Sequence, residues 1–203
     1  MGLLEANFSP TVFVCGEDFR FGKGAAGTAH NLSTMTKAKV EVLPLLEVKG
    51  EKISSSTVKQ LLLAGKLTEM NALLSEPFFL SGSVIAGKRL GRQIGFPTAN
   101  FLYPKEKLQL PYGVYETQVS VDGKTYSAIT NFGDQPTVEG RQVFVETHII
   151  GFSGDLYGRM LTVRFIKKLR DIQKFACVED LKNQLQADVA VVQKDEIGRK
   201  QDD

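Results

Sequence analysis

The sequence predicts a mainly β protein: a small antiparallel barrel closed by a C-terminal helix and preceded by a partial α/β piece. Three observations carry this expectation. From Pro77 to Cys177 nearly every segment reads as strand, the first 75 residues alternate strand and helix signals, and residues 178–194 return to helical spacing.

In the first part, "TVFVC" (11–15) reads as a short buried strand and "KVEVLPLLEV" (39–48) as another, interrupted by Pro44. "SSSTVKQLLLAG" then places Ser at a cap, Val58, Leu61 and Leu62 at helical spacing and Gly65 as a stop, followed by a second helical run from Thr68 to Leu74. Beyond Pro77, "FFLSGSVIAG", "GVYETQVSVDGKTYSAITNF", "VFVETHII" and "MLTVRFIKK" are β-rich runs separated by turn chemistry. Asp122-Gly123 predicts a tight hairpin. In the strand before it, Tyr115, Thr117, Val119 and Val121 share one face, and Glu116, Gln118 and Ser120 the other. The last helix presents Leu181, Leu185, Val189 and Val192, and the charged tail after Lys194 is expected to fray. A domain boundary is therefore expected near Glu76, giving an α/β fragment over 1–75 and the barrel with its helix over 76–203.

Composition narrows the function. Lys plus Arg outnumber Asp plus Glu by only 25 to 23, so there is no strong field for nucleic acid or an anionic membrane, and any polyanion must be met locally. Cys15 and Cys177 stand apart, outside any Cys-x-x-Cys pattern, and are read as reduced thiols of a cytoplasmic protein. With two histidines in the chain, a zinc site is not expected. No apolar run approaches the ~20 residues of a membrane span, and the start lacks the charged flank of a signal peptide.

Two motifs imitate nucleotide sites. "GKGAAG" (22–27) fits the dinucleotide fingerprint, but "GEDFRF" separates it from the preceding strand, which favours a plain loop. "GSVIAGK" (82–88) matches the start of a P-loop, but Arg89 stands where the metal-binding Ser or Thr belongs, and no helix is read after it.

The stretch that follows, "RLGRQIGFPTANF", offers different chemistry. Gly87, Gly91 and Gly95 recur every fourth residue, so the backbone can approach a bulky anion, with Lys88, Arg89 and Arg92 adding charge. After Pro97 the chain reads as extended, and Thr98 and Asn100 project from one face as hard oxygen ligands of the kind Mg²⁺ accepts beside phosphate. The alternative is a glycine-rich hairpin with solvated arginines. Glu146 shares a strand face with Phe144, His148 and Ile150, and a carboxylate in largely apolar surroundings suits a general base, whereas at a surface strand end it is inert. His148 is read as a packed or hydrogen-bonded residue.

"GRQIGFPTANF" with "PYGVY", "NFGDQPT", "VETHI", "DLYG" and "LRDIQKF", in that order over residues 76–192, resembles the riboflavin kinase module of the bacterial bifunctional riboflavin kinase/FMN adenylyltransferase (FAD synthetase) family. The resemblance implies a six-stranded Greek-key barrel that uses ATP and Mg²⁺ to phosphorylate riboflavin to FMN. It assigns the metal to Thr98 and Asn100, phosphate contacts to the loop from Gly87 to Gly95, and the base to Glu146. Through the quoted motifs it also marks Tyr112, Asn131 and Arg170 as ligand-binding candidates. Upstream, "VFVCGEDFRFG" and "ISSSTVKQLL" resemble the later half of the family's Rossmann-like adenylyltransferase module. The family's His-x-Gly-His element finds no counterpart at His30 or His148, and Lys59 replaces an Arg of that module. The expectation is that this chain alone does not make FAD, and that the N-terminal fragment leans on the barrel or on a second protomer. Gln135 and Ile172 stand where the family often has Arg and Glu, which keeps a non-catalytic flavin-binding protein as the alternative.

Overall fold

The computed structural model describes residues 6–48, 51–87, 90–137 and 140–201. Two compact units divide the chain, Met1–Ser54 and Ser55–Asp203.

The first unit is the α/β piece. It holds β1 (Val12–Gly16), β2 (Arg20–Phe21), β3 (Gly27–Thr28), α1 (Ala29–Met35), β4 (Lys39–Leu43), β5 (Glu47–Val48) and β6 (Glu51–Lys52). β1 and β4 pair in parallel, and the connection between them contains α1, as a parallel pair requires a crossover. Thr28 caps α1 reciprocally with Asn31: its hydroxyl accepts from the Asn31 amide, and its own amide donates to Asn31 Oδ1. The glycines of "GKGAAG" form a 3₁₀ turn and the β2–β3 hairpin, not the strand-to-helix turn of a dinucleotide fold.

The second unit begins with α2 (Ser55–Leu63) and α3 (Leu67–Asn71), continues through β7 (Phe79–Ser83), the single turn α4 (Leu90–Gln93), β8 (Ala99–Leu102), β9 (Gly113–Val121), β10 (Lys124–Thr137), β11 (Gly140–Ile149) and β12 (Met160–Arg170), and ends in α5 (Val178–Gln201). Six strands form one antiparallel sheet in the order β7-β12-β9-β10-β11-β8. β12 lies beside β9 after the meander β9-β10-β11, which is the 4-1-2-3 order of a Greek key. The sheet curls until Ile85, beyond the end of β7, donates its amide to the Asn100 carbonyl at 2.8 Å. That bridge joins the two edges.

Inside are Leu80, Phe101, Tyr115, Val119, Phe132, Val145, Val163 and Phe165, all without solvent exposure. Thr117, Thr130 and Thr147 cross the interior as a hydroxyl ladder at 2.8 and 2.9 Å, so the polar atoms buried there are paired. Asp122 (φ 51°) and Gly123 (φ 78°) both take left-handed conformations, the two-residue hairpin the sequence predicts.

Three features depart from the sequence reading. The compact unit that holds the barrel starts at Ser55, ahead of the boundary expected near Glu76, because Leu62, Leu67 and Met70 from α2 and α3 enter the barrel's core cluster. A helical turn, α4, follows the P-loop-like stretch where none is read. The charged segment after Lys194, read as a tail, continues α5 to Gln201: Arg199 pairs with Glu116, Lys167 with Asp195, and Ser127 donates to Glu196 at 2.9 Å. Glu116, on the face opposite Tyr115, is consequently buried under that helix.

Candidate active site

The sheet register sets five side chains in one row. Asn100 on β8 faces Glu146 on β11, Glu146 faces Asn131 on β10, Asn131 faces Val114 on β9, and Val114 faces Arg170 on β12. Strand side chains alternate, so Phe101, Val145, Phe132 and Tyr115, one residue along, fill the barrel while this row stands on its outer surface. The site is outside the lumen.

Helix α5 and the turn around α4 roof the row and leave a cavity of about 410 Å³. Ile94, Phe96, Val114, Ile129, Leu181 and Leu185 give it apolar walls, and Asn100, Asn131 and Glu146 bring polar groups to one side. Asn131 Nδ2 donates to Glu146 Oε2 at 3.1 Å, fixing that carboxylate's orientation. A few polar groups converging in a mostly apolar pocket are the usual make-up of a small-molecule site.

A second cavity of about 290 Å³ lies beside the first, between Arg92, Pro97, Thr98 and Thr147 on one side and the loop carrying Ser153, Asp155 and Tyr157 on the other. A small recess bounded by Gly87, Asn100 and Tyr157, together with Arg92, Pro97 and Thr98, lies between them. Thr98 lines all three spaces and Asn100 two of them. Thr98 is therefore shared by both cavities, and Asn100 by the larger cavity and the recess.

The glycines serve this geometry from within. A Cβ on Gly87 would stand 2.0 Å from Asn100 Nδ2, and one on Gly91 would stand 2.2 Å from the Phe96 carbonyl oxygen. Gly91 can thus accept the Phe96 amide at 2.7 Å and close the turn ahead of Pro97. Gly95 (φ +87°) takes the left-handed conformation that turn requires. Lys88 and Arg89 lie outside the described residues.

Two candidates have other partners. The Tyr112 ring packs edge-on against Phe132 at 5.7 Å and lines none of the three spaces. Arg170 lines the larger cavity, but its Nε and Nη2 are bonded to Asp188 of α5 at 3.1 and 2.8 Å, and Gln184 adds a bond to the same carboxylate at 2.9 Å. Asp188 is 5% exposed, so the pair pins α5 over the row. Beside it, a hydrogen bond from Lys168 holds the Asp171 carboxyl below its ordinary range. Sequence reasoning singled out neither Asp188 nor Tyr157. The "DLYG" motif pointed to the loop of Tyr157, whereas nothing local marks Asp188, which on its helix reads as a solvated charge.

The fold and this site define a class: a Greek-key barrel with one cavity on its outer surface and a second at its end among core residues, both lined by Thr98. Residues 74–195 match the riboflavin kinase (Flavokinase) family model, and the chain belongs to that family. It is 38% identical over 179 residues to a bifunctional riboflavin kinase/FMN adenylyltransferase of Pseudomonas fluorescens, covering 86% of this chain and 57% of that protein. The like-named protein of Escherichia coli K12 is 38% identical over 181 residues, covering 85% of this chain and 56% of its own length. The chain spans a little over half the length of these curated relatives. A crystal structure described as a macrolide-efflux protein from Streptococcus pneumoniae is similar with a TM-score of 0.83 and 31% identity, covering 94% of this chain and 64% of that one. Among the described residues here, no helix is long and apolar enough to cross a membrane.

Proposed function

We propose that this chain is a riboflavin kinase, transferring the γ-phosphoryl group of ATP to the ribityl 5′-hydroxyl of riboflavin to give FMN and ADP. The observation that carries the reading is that both cavities are lined by Thr98, with Asn100 lining the larger one and the recess and Glu146 paired beside Asn100. The apolar cavity suits the flavin ring. The more polar one, with Arg92 at its edge, suits the nucleotide.

Asn100 Oδ1 is buried and has no hydrogen-bond partner, an arrangement that costs about 1–3 kcal/mol unless a ligand completes it. Among the described residues no cluster of three His, Cys, Asp or Glu forms a metal cage of its own. An oxygen-only pair that shares its ion with phosphates fits Mg²⁺, and Thr98 and Asn100 would hold it. The ion would neutralise charge on the phosphate oxygens during transfer. Glu146, oriented by Asn131, takes the hydroxyl proton as the hydroxyl oxygen bonds to the γ-phosphorus and the bond from that phosphorus to ADP breaks. Arg170 keeps the helical wall in place, and Gly87, Gly91 and Gly95 shape the loop around the phosphates.

As part of the same proposal, the first unit, Met1–Ser54, is assigned to the FMN adenylyltransferase-like module expected over 1–75, supported by the parallel β1–β4 pair and its crossover helix. Lys59 keeps the charge of the arginine it replaces and loses the bidentate fork, so FAD formation by this chain alone is not expected. The test is direct: incubation with ATP, Mg²⁺ and riboflavin should yield FMN. Riboflavin binding by the folded protein without FMN formation would select the non-catalytic reading instead.

A further inference from the structure

We propose that His148 is a positioning residue for the phosphoryl transfer, fastening the turn that delivers Thr98 to the strand that carries Glu146. The inference rests on reading the site as a riboflavin kinase centre. The backbone ladder between β11 and β8 ends at Thr147 opposite Ala99. Thr98 thus lies one residue beyond the last paired position, and Pro97 before it has no N–H to extend the ladder. There the His148 side chain takes over: Nδ1 lies 2.9 Å from the Pro97 carbonyl oxygen. A carbonyl can only accept, so Nδ1 carries the proton.

The same ring packs edge-on against Phe96 at 5.1 Å, so His148 grips the two residues that precede Thr98, one through its hydrogen bond and one through its ring. The turn's own closure, Phe96 N–H to the Gly91 carbonyl, shapes the loop but does not tie it to β11. Glu146 and His148 lie on one face of β11 and both line the larger cavity. One strand therefore presents the base and locates the hydroxyl ligand. A tether of this kind serves the metal–nucleotide side of the reaction, because Thr98 faces the nucleotide cavity as well.

The experiment compares His148→Leu, which removes the donor, with His148→Asn, whose amide can reach the Pro97 carbonyl. In His148→Leu the Mg²⁺ concentration for half-maximal FMN formation and the KM for ATP should rise on the order of tenfold, more than any change in the riboflavin dissociation constant that the altered cavity wall causes. His148→Asn should recover most of the loss. Equal behaviour of both variants and wild type would overturn the proposal, as would equal impairment of both variants or a defect confined to riboflavin affinity. Thermal melting checks that each variant is folded. If wild-type protein makes no FMN, the reading of the site fails separately. Amide hydrogen exchange over residues 94–98 then decides on the tether alone: it must accelerate in His148→Leu and not in His148→Asn.

Discussion

Asn100 shows how one side chain can depend on a missing one. Its amide nitrogen fills the space where Gly87 would carry a Cβ, and its buried Oδ1 has no hydrogen-bond partner. Gly87→Ala would force the amide aside while leaving the barrel interior untouched. The expected result is a folded protein whose Mg²⁺ requirement for FMN formation rises on the order of tenfold, measured by titrating the metal at saturating ATP and riboflavin. Thr98, Asn100 and Glu146 stood out in the sequence as candidates because a hydroxyl, an amide and a carboxylate among glycines and apolar residues are chemically conspicuous, and the structure brings them close together. The reason for Gly87 was not legible, since the contact joins residues thirteen apart through the closing of the barrel. Tyr112 illustrates the converse, an aromatic residue in a recognisable motif whose ring turns toward Phe132.

The element that roofs the site, α5, is held by charge as much as by apolar packing. Val192 is fully buried against the sheet, while Glu116, Lys167, Asp195 and Arg199 form one ionic group along the second half of the helix. The hydrogen bond from Lys167 keeps the Asp195 carboxyl below its ordinary value of 3.8, so the folded state favours the charged form. A carboxyl depressed in this way contributes stability above its unfolded pKa and loses it as pH falls through the folded one. Asp195→Asn should therefore lower thermal stability at neutral pH, on the order of 1 kcal/mol. The difference from wild type should vanish on acidification below the ordinary carboxyl range, as scanning calorimetry at several pH values would record. The strands of the barrel were readable from their alternation, and the Asp122-Gly123 turn from its residue types. The far end of α5 was not, because its charges reveal nothing about their partners on β9 and β12 until the helix is laid across them.

On the scale of the whole chain, the first unit and the barrel unit meet in sequence at Ser54 and Ser55. The helical spacing of Leu61 and Leu62 indicates a helix with an apolar face. It does not indicate whether that face belongs to a parallel sheet or to a barrel, which is why the sequence boundary fell later. Leu62, Leu67 and Met70 are at most 2% exposed within the barrel's core cluster, and burying such side chains is worth about 1.5–3 kcal/mol each. Asn71 adds three bonds, from its Nδ2 to the Phe165 and Ile166 carbonyls at 2.8 and 3.3 Å and from the Phe78 amide to its Oδ1 at 3.0 Å. A chain beginning at Ser55 should melt cooperatively and retain FMN formation. A chain beginning at Glu76 should lose several kcal/mol, a large part of a typical domain's ~5–15 kcal/mol, and melt much lower or fail to fold. Equal melting temperatures for the two would contradict the assignment of α2 and α3 to the barrel core.

In the proposed reaction Glu146 acts as the base, beside a larger cavity assigned to the flavin and a second one assigned to the nucleotide. The most direct measurement is FMN formation by wild-type protein and by Glu146→Gln, with riboflavin affinity recorded for both. Because Gln keeps an oxygen for the Asn131 amide, riboflavin binding should be nearly unchanged while turnover falls on the order of 10²-fold or more. Turnover by Glu146→Gln within a few-fold of wild type would contradict it.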